Sequence, residues 1–519
     1  MLSVRSLWSS AFTPVICAGL MVCSSGVAAF DFNTVIDKAQ SLSKKDYEAP
    51  EQAPQFLRDL SYSQYHDVRF KPERSLWRGS KSSFQVKMMP PGMYYSHAVT
   101  INEVDSEGVR PVVFDKSVFN YPSPAFEKRI PADLGYAGFK LTFPMKSGKS
   151  RDEFLMFAGA SYFQGIGRDN EFGVSARGIA LNTGLPSGEE VPAFTEFWLE
   201  HPAGDSKSMT VYGLLDGPSV TGAYQFQIHP GDSTRIDVTA KLFFRSDIDL
   251  LGMAPLTSMF YYGENTVKPK GEWRPQVHDS DGLLVHDGKS GEWLWRPLIN
   301  PRDLRMSYLQ TEDVRGFGFM QRDTDFGKFE DLEARYDKRP SAWVEAKGDW
   351  GKGQVVLVEI PTRSEVNDNI VAFWRPEGPI KAGAQMGLDY SLTFGDETVA
   401  GQETAHAVRT FVGDGDRVGG GDVDGAYRLI VDFTGGELDD LTEKNAVVSK
   451  VTGGKGVEVL EHFVVRNPEE NTWRLSMLVK PASNQVMSLR AFLSLDNKPL
   501  TETWSYELPP GSDIRADSE

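Results

Sequence analysis

The sequence predicts an all-β protein, a large antiparallel β-sandwich followed by a small immunoglobulin-like β-sandwich, and three observations carry that prediction. Apolar residues recur with a period of two: in "RIDVTAKLFF", Ile236, Val238, Ala240, Leu242 and Phe244 alternate with mostly polar neighbours, as a strand with one buried face requires. Turn clusters such as "LPSGEE", "DGPS" and "HPGDS" separate these runs at hairpin spacing. Near residue 400 the texture turns polar and Gly/Asp-rich, and a compact set of short strands follows.

Taken in order, residues 1–29 read as an export signal. They hold one early Arg, an uncharged apolar stretch, and small residues at Val27 and Ala29 that fit a signal-peptidase site. No Arg pair precedes the apolar region, which favours general secretion over the twin-arginine route. After the signal, "FNTVIDKAQSLSKKDYEAP" and "PQFLRDL" carry helical periodicity. Residues 30–395 then form the large β domain, with "SMTVYGLL" and "AYQFQIHPG" as further alternating strands. Residues 396–408 read as a linker. The small sandwich spans 409–515 and is built from "YRLIVDF", "VEVLEHFVVR", "TWRLSMLVK", "VMSLRAFLSL" and "ETWSYEL"; Trp473, Leu475, Met477 and Val479 form one buried face, and Met487, Leu489, Ala491, Leu493 and Leu495 another.

Charge and cysteine content narrow the function. The formal charge is −17, and loss of the one Arg in the signal makes the exported chain still more acidic. Nucleic acid and anionic membrane surfaces would be repelled, so a neutral ligand is the natural partner. Cys17 and Cys23 both fall in the signal, leaving no thiol nucleophile and no disulfide. No later run of about 18 apolar residues follows, so no membrane insertion is expected after cleavage, and a periplasm is the compartment that suits such a chain. "GIGRDNEFG" at 165–173 reads as a turn, since no helix pattern follows it. "KSGKS" lacks the upstream Gly of a phosphate loop, and no G-x-S-x-G elbow occurs. The eight His are scattered, and "DGDRVGGGDVDG" at 414–425 has Val418 where a calcium loop needs a ligand. Neither a cofactor nor a metal is expected, and the Gly/Asp-rich stretch reads as a mobile loop at the domain junction.

The region from 262 to 375 concentrates the chemistry. Six of the eleven Trp fall there, Trp273, Trp293, Trp295, Trp343, Trp350 and Trp374; flat rings suit the C–H faces of sugars, although any single Trp is more often a core residue. Acids are interleaved: Asp279 and Asp281 in "VHDSDGL", Asp331, Glu333 and Asp337 around Tyr336 in "FEDLEARYDKRPSAW", and Glu365 and Asp368 in "SEVNDNIVAFW". Glycosidic bonds are broken by two carboxyl groups, one protonated and one ionised. Keeping one protonated near neutral pH takes an apolar setting. Asp368, beside Ile370, Val371, Phe373 and Trp374, has that context; an Asx turn ahead of a strand is the competing reading of "NDN".

The ordered motifs "GASYF", "SARGIALNTGLPSGEE", "APLTSMF", "HDSDGL", "GEWLWRPL", "FEDLEARYDKRPSAWV", "GDWGKGQVVLVEIPT" and "NDNIVAFW" resemble the osmoregulated periplasmic glucan biosynthesis protein family, its G branch more closely than its D branch. The resemblance runs from the signal to "ETWSYELPP". It implies a large β-sandwich like galactose mutarotase joined to an immunoglobulin-like domain, acting on β-1,2-linked glucan in the periplasm. It further implies an inverting endo-β-1,2-glucanase with Asp368 as general acid and an Asp of "HDSDGL", Asp279 before Asp281, as base. Tyr336 and Glu365 would contact sugar, and Arg296, Trp295, Trp343 and Trp374 would line the groove. A second reading, from another class, is a non-catalytic glucan-binding protein that shapes or escorts nascent chains beside the inner-membrane glucan glycosyltransferase.

Overall fold

The structure is a computed structural model that describes residues 30–417 and 420–510. The expected export signal with Cys17 and Cys23, Val418, and the last residues of the expected small domain lie outside the described residues.

The all-β expectation holds. Among the described residues, a ten-stranded and a fifteen-stranded sheet face each other, and a four-stranded sheet covers one end of the larger one. The strand Thr234–Phe244 shows the alternation directly: Ile236, Val238, Ala240 and Leu242 are buried while Arg235 and Thr239 are exposed. Its hairpin partner Val220–His229 runs antiparallel to it, from Val220 opposite Phe244 to His229 opposite Arg235. Phe139, Phe157 and Trp374 from the ten-stranded sheet and Phe226, Val238 and Tyr390 from the larger one share a single core.

Met209–Asp216 is buried on both faces because the helix Phe32–Leu42 lies across the outside of the sheet. Val35 and Ala39 on that helix meet Trp198, Tyr212, Leu214 and Phe243. Asp31 caps it by accepting from the Thr34 N–H. The second expected helix shrinks to the single turn Gln55–Arg58. Two more short helices, Tyr62–His66 and Pro124–Arg129, have no run long enough to show a 3.6-residue period.

The small sandwich is present, with its four-stranded sheet packed on Val448–Gly453, Met487–Leu495 and Thr503–Leu508. Those three strands also end the fifteen-stranded sheet. Thr503–Leu508 runs parallel to Trp293–Pro297 of the large domain, Trp504 opposite Trp295. The expected linker is correspondingly ordered: Glu397–Ala400 is a 3₁₀ turn, Ala405 bridges Thr501, and the first small-domain strand begins at His406. The Gly/Asp-rich stretch does not join the domains. Its described residues belong to one hairpin of the small sandwich, His406–Asp416 paired with Asp422–Thr434.

Candidate active site

One three-residue segment, Ser258 to Phe260 at the end of the strand Leu251–Ser258, gathers the acids. Ser258 Oγ meets Ser280 Oγ at 2.8 Å, and the Met259 carbonyl accepts from the Asp279 N–H at 2.8 Å. The Phe260 N–H donates to Asn369 Oδ1 at 2.8 Å, and the Asn369 amide returns a bond to the Phe260 carbonyl at 3.0 Å and another to the Ile360 carbonyl at 3.0 Å. Ser258 is also paired with Ile370 across the sheet. The "HDSD" turn and the "NDN" turn are thus clamped to the same backbone from two sides.

Within "NDN" the work is divided. Asn369 is buried and spends its amide on the clamp. Asp368 caps nothing: among the described residues, no group donates a hydrogen bond to its carboxylate. Its side chain is exposed to solvent, yet protein atoms crowd around the carboxyl. That desolvation pushes its carboxyl up to about 6; the charge of Asp279 adds to the effect, and Arg177 and Arg339 oppose it.

Asp279 is buried. Its carboxyl is raised by desolvation and held back by Arg339 and His278. Arg339 Nε lies 2.9 Å from Asp279 Oδ1, but its N–H is not aligned for a hydrogen bond and both atoms stay without one. The pair is electrostatic, and the oxygen keeps its lone pairs free. Gly173, in the turn "GIGRDNEFG", makes room for it: a Cβ there would stand 2.7 Å from Arg339 Cδ and 3.3 Å from Asp279 Cγ.

Asp281 does different work. Its Oδ2 accepts the N–H groups of Arg322 and Asp323 at 2.5 and 2.9 Å, and its Oδ1 lies 3.6 Å from His278 Nε2. It faces the junction with the small sandwich, beside Trp295, Arg322 and Arg409. His278 stacks on Phe260 and is pushed down to about 4 by burial, so it is neutral at physiological pH.

Tyr336 is buried, and desolvation together with the charges of Asp279 and Glu365 raises its hydroxyl. It starts the 3₁₀ turn Tyr336–Lys338, entered through Arg335 in the left-handed conformation, and its ring lies under Arg339. Glu365 is tied to Arg274 Nη2 at 2.5 Å. Asp331 shapes its own loop by accepting from the Glu333 and Ala334 N–H groups at 2.9 and 2.8 Å.

The structure thus groups Asp368, Asp279, Tyr336 and Glu365. The other expected groove residues lie elsewhere. Trp374 is fully buried between the large sheets. Trp295 and Trp343 belong to the core shared with the small sandwich, Trp295 lying under Arg322 at 3.7 Å. Arg296 is buried 3.3 Å from Glu507 and 3.5 Å from Ser307. These four depart from the groove expectation: the three Trp rings lie in apolar cores, where their area is worth more than displayed, and Arg296 is taken up by the Glu507 carboxylate.

Three arginines at the site carry no role in the sequence analysis. Arg339 serves both acids. Arg177 acts on Asp368; it is buried, held by Glu189 at 2.6 Å and Thr257 at 2.9 Å, and lies over the Tyr162 ring. Arg274 holds Glu365. The motifs containing Arg177 and Arg339 were visible, but nothing local marked them as facing an acid. Among the described residues no cluster of three or more acidic, His or Cys side chains could hold a metal.

Comparison with known proteins gives the family. The family described as periplasmic glucan biosynthesis protein, MdoG, matches residues 30–508. The chain belongs to this family. Its similarity to glucans biosynthesis protein G of Dickeya dadantii (strain 3937) is 43% identity over 488 residues, 93% of each chain. A solved galactose mutarotase related enzyme of Lactobacillus acidophilus covers 47% of this chain and 97% of its own, at 9% identity and a TM-score of 0.20. The fold of this family member rests on its own sheets and not on that likeness. Among the described residues, no helix is long and apolar enough to cross a membrane.

Proposed function

We propose that this member of the glucan biosynthesis family is a periplasmic endo-β-1,2-glucanase that acts with inversion. Asp368 protonates the leaving glucosyl oxygen, and Asp279 draws the proton from the attacking water. One observation carries the reading: two carboxylates clamped to the same segment, one free of hydrogen bonds and raised to about 6, the other beside a guanidinium. Burial raises both carboxyls, and the guanidinium 2.9 Å from Asp279 favours the ionised form there, the difference that an acid and a base require of their settings. Tyr336 and Glu365 would meet sugar hydroxyls beside the bond. Asp281, with its Oδ2 committed to two backbone N–H groups, acts as a strut.

The family's description, which names biosynthesis, favours a second reading: a glucan-binding protein that escorts chains made by an inner-membrane glycosyltransferase. Both readings take a β-1,2-linked glucan as ligand. They separate on cleavage of linear β-1,2-glucan by wild type, Asp368→Asn, Asp279→Asn and Asp281→Asn, with binding measured in parallel and the anomer of the new reducing end followed by NMR. The expected outcome is an α-anomeric product from wild type, a loss of about 10²–10⁴ in rate for Asp368→Asn, a similar loss for Asp279→Asn, and retained binding in both. Asp281→Asn keeps an acceptor oxygen and retains most of the rate. Binding without cleavage by wild type would establish the escort reading.

A further inference from the structure

Arg274 ties three loops together. Its guanidinium meets Glu272 Oε2 at 2.9 Å, Asp331 Oδ2 at 3.0 Å and Glu365 Oε2 at 2.5 Å. Next to each of these anchored positions stands an exposed apolar side chain. Trp273 is 65% exposed, Leu332 77% and Val366 69%. Trp273 is the one exposed tryptophan among the described residues, whereas the rings expected from the sequence to line the groove are buried. A single exposed apolar side chain is ordinary on a surface, but three mounted around one ion-paired hub mark an interaction site.

The Trp273 backbone is fixed on both sides. Its N–H donates to Glu272 Oε1 at 3.0 Å, and its carbonyl accepts from Lys268 Nζ at 3.2 Å. The Tyr262 hydroxyl holds the next carbonyl, that of Arg274, at 3.0 Å. The ring stands 6.0 Å from the guanidinium carbon of Arg274, the group that also holds Glu365. Glu365 and Arg274 both act on Tyr336, as does Asp279. The patch is therefore continuous with the acid site through Glu365 and Tyr336.

We infer that Trp273 is a glucose-stacking platform at the rim of the acid site, held by the Arg274 hub with Leu332 and Val366 beside it, and that it binds the glucan chain outside the scissile bond. The inference rests on the glucan reading of the site. Three separated apolar side chains set among carboxylates and a guanidinium suit a neutral polyhydroxylated chain, which offers C–H faces to the ring and hydroxyls to the acids. A purely apolar partner would leave those charges desolvated and unpaired. A rigidly mounted indole gives up little conformational freedom on binding.

The test is titration of linear β-1,2-glucan into Asp368→Asn protein carrying Trp273, Trp273→Phe or Trp273→Ala, read by calorimetry and by intrinsic fluorescence. Because Trp273 is the exposed fluorophore, glucan should change the emission of the first protein, and Trp273→Ala should lose that change. Affinity should fall about tenfold in Trp273→Ala, and Trp273→Phe should recover most of it. Unchanged affinity with an unchanged fluorescence response would overturn the platform while leaving the glucan reading intact. So would loss of self-association in Trp273→Ala at unchanged glucan affinity, since the patch would then be a contact between copies of the chain. Failure of the Trp273 protein to bind any linear β-1,2-glucan would overturn the glucan reading itself, and the platform with it.

Discussion

At the scale of single residues, the two acids nearest each other in sequence are separated by what binds them. Asp279 and Asp281 are both pushed up by desolvation, but Asp281 accepts two backbone N–H groups and Asp279 faces an unaligned guanidinium. Asp368 has no donor among the described residues and an elevated carboxyl, which has a consequence for stability. A folded-state pKa raised above the ordinary 3.8 to about 6 means that the folded protein holds this proton more tightly than the unfolded chain. The favourable contribution is complete below the ordinary value and is lost as pH rises through about 6. Asp368→Asn should therefore melt higher than wild type near pH 8, and the two should converge near pH 4. Thermal melts across that range decide it; a difference that does not vary with pH would show the carboxylate to be solvated like any surface acid. A group poised for chemistry at a cost in stability is common at active sites.

At the scale of elements, the site is a junction of two turns on one strand end. The strand Leu251–Ser258 supplies the fixed line, and Asn369 joins the "NDN" turn to Phe260, two residues beyond it. Asn369→Ala removes three hydrogen bonds from a buried position and should cost about 2 kcal/mol of stability, together with a clear loss of cleavage, because Asp368 is carried by the same turn. Denaturant unfolding and a cleavage assay on the folded variant check both halves. Loss of stability with full activity would mean that the clamp does not position the acid. The sequence made the turn legible through its Asn and Asp residues, but which of the three is spent on the backbone depends on the clamp and not on local propensity.

At the scale of the whole molecule, the small sandwich is not an appendage. Besides the shared sheet, Arg322 has its backbone N–H on Asp281 and its guanidinium in a buried bidentate pair with Glu502, at 2.7 and 2.9 Å; the same guanidinium donates to the Ala407 carbonyl at 2.7 Å. Protease should cut at the Gly/Asp-rich hairpin, as its composition suggests, yet the cut should release no large domain: the nicked halves should co-elute in size exclusion under native conditions and part only in denaturant. Separation in native buffer would contradict the shared sheet. Glu502→Gln, which leaves the Arg322 charge buried without its counter-ion, should cost about 3–5 kcal/mol, measurable as a lowered melting temperature. By itself the sequence determined the all-β class, the faces of strands such as Thr234–Phe244, and the start of the small sandwich near residue 400, because period-two burial and turn composition are local properties. Tertiary structure alone decided that Trp295, Trp343, Trp374 and Arg296 point inward, that Trp273 points out, that Asp279 and not Asp281 joins Asp368, and that the sandwiches share a sheet. Those outcomes depend on which strand ends meet in space, and such pairings are made between residues too distant in the chain for any local pattern to encode.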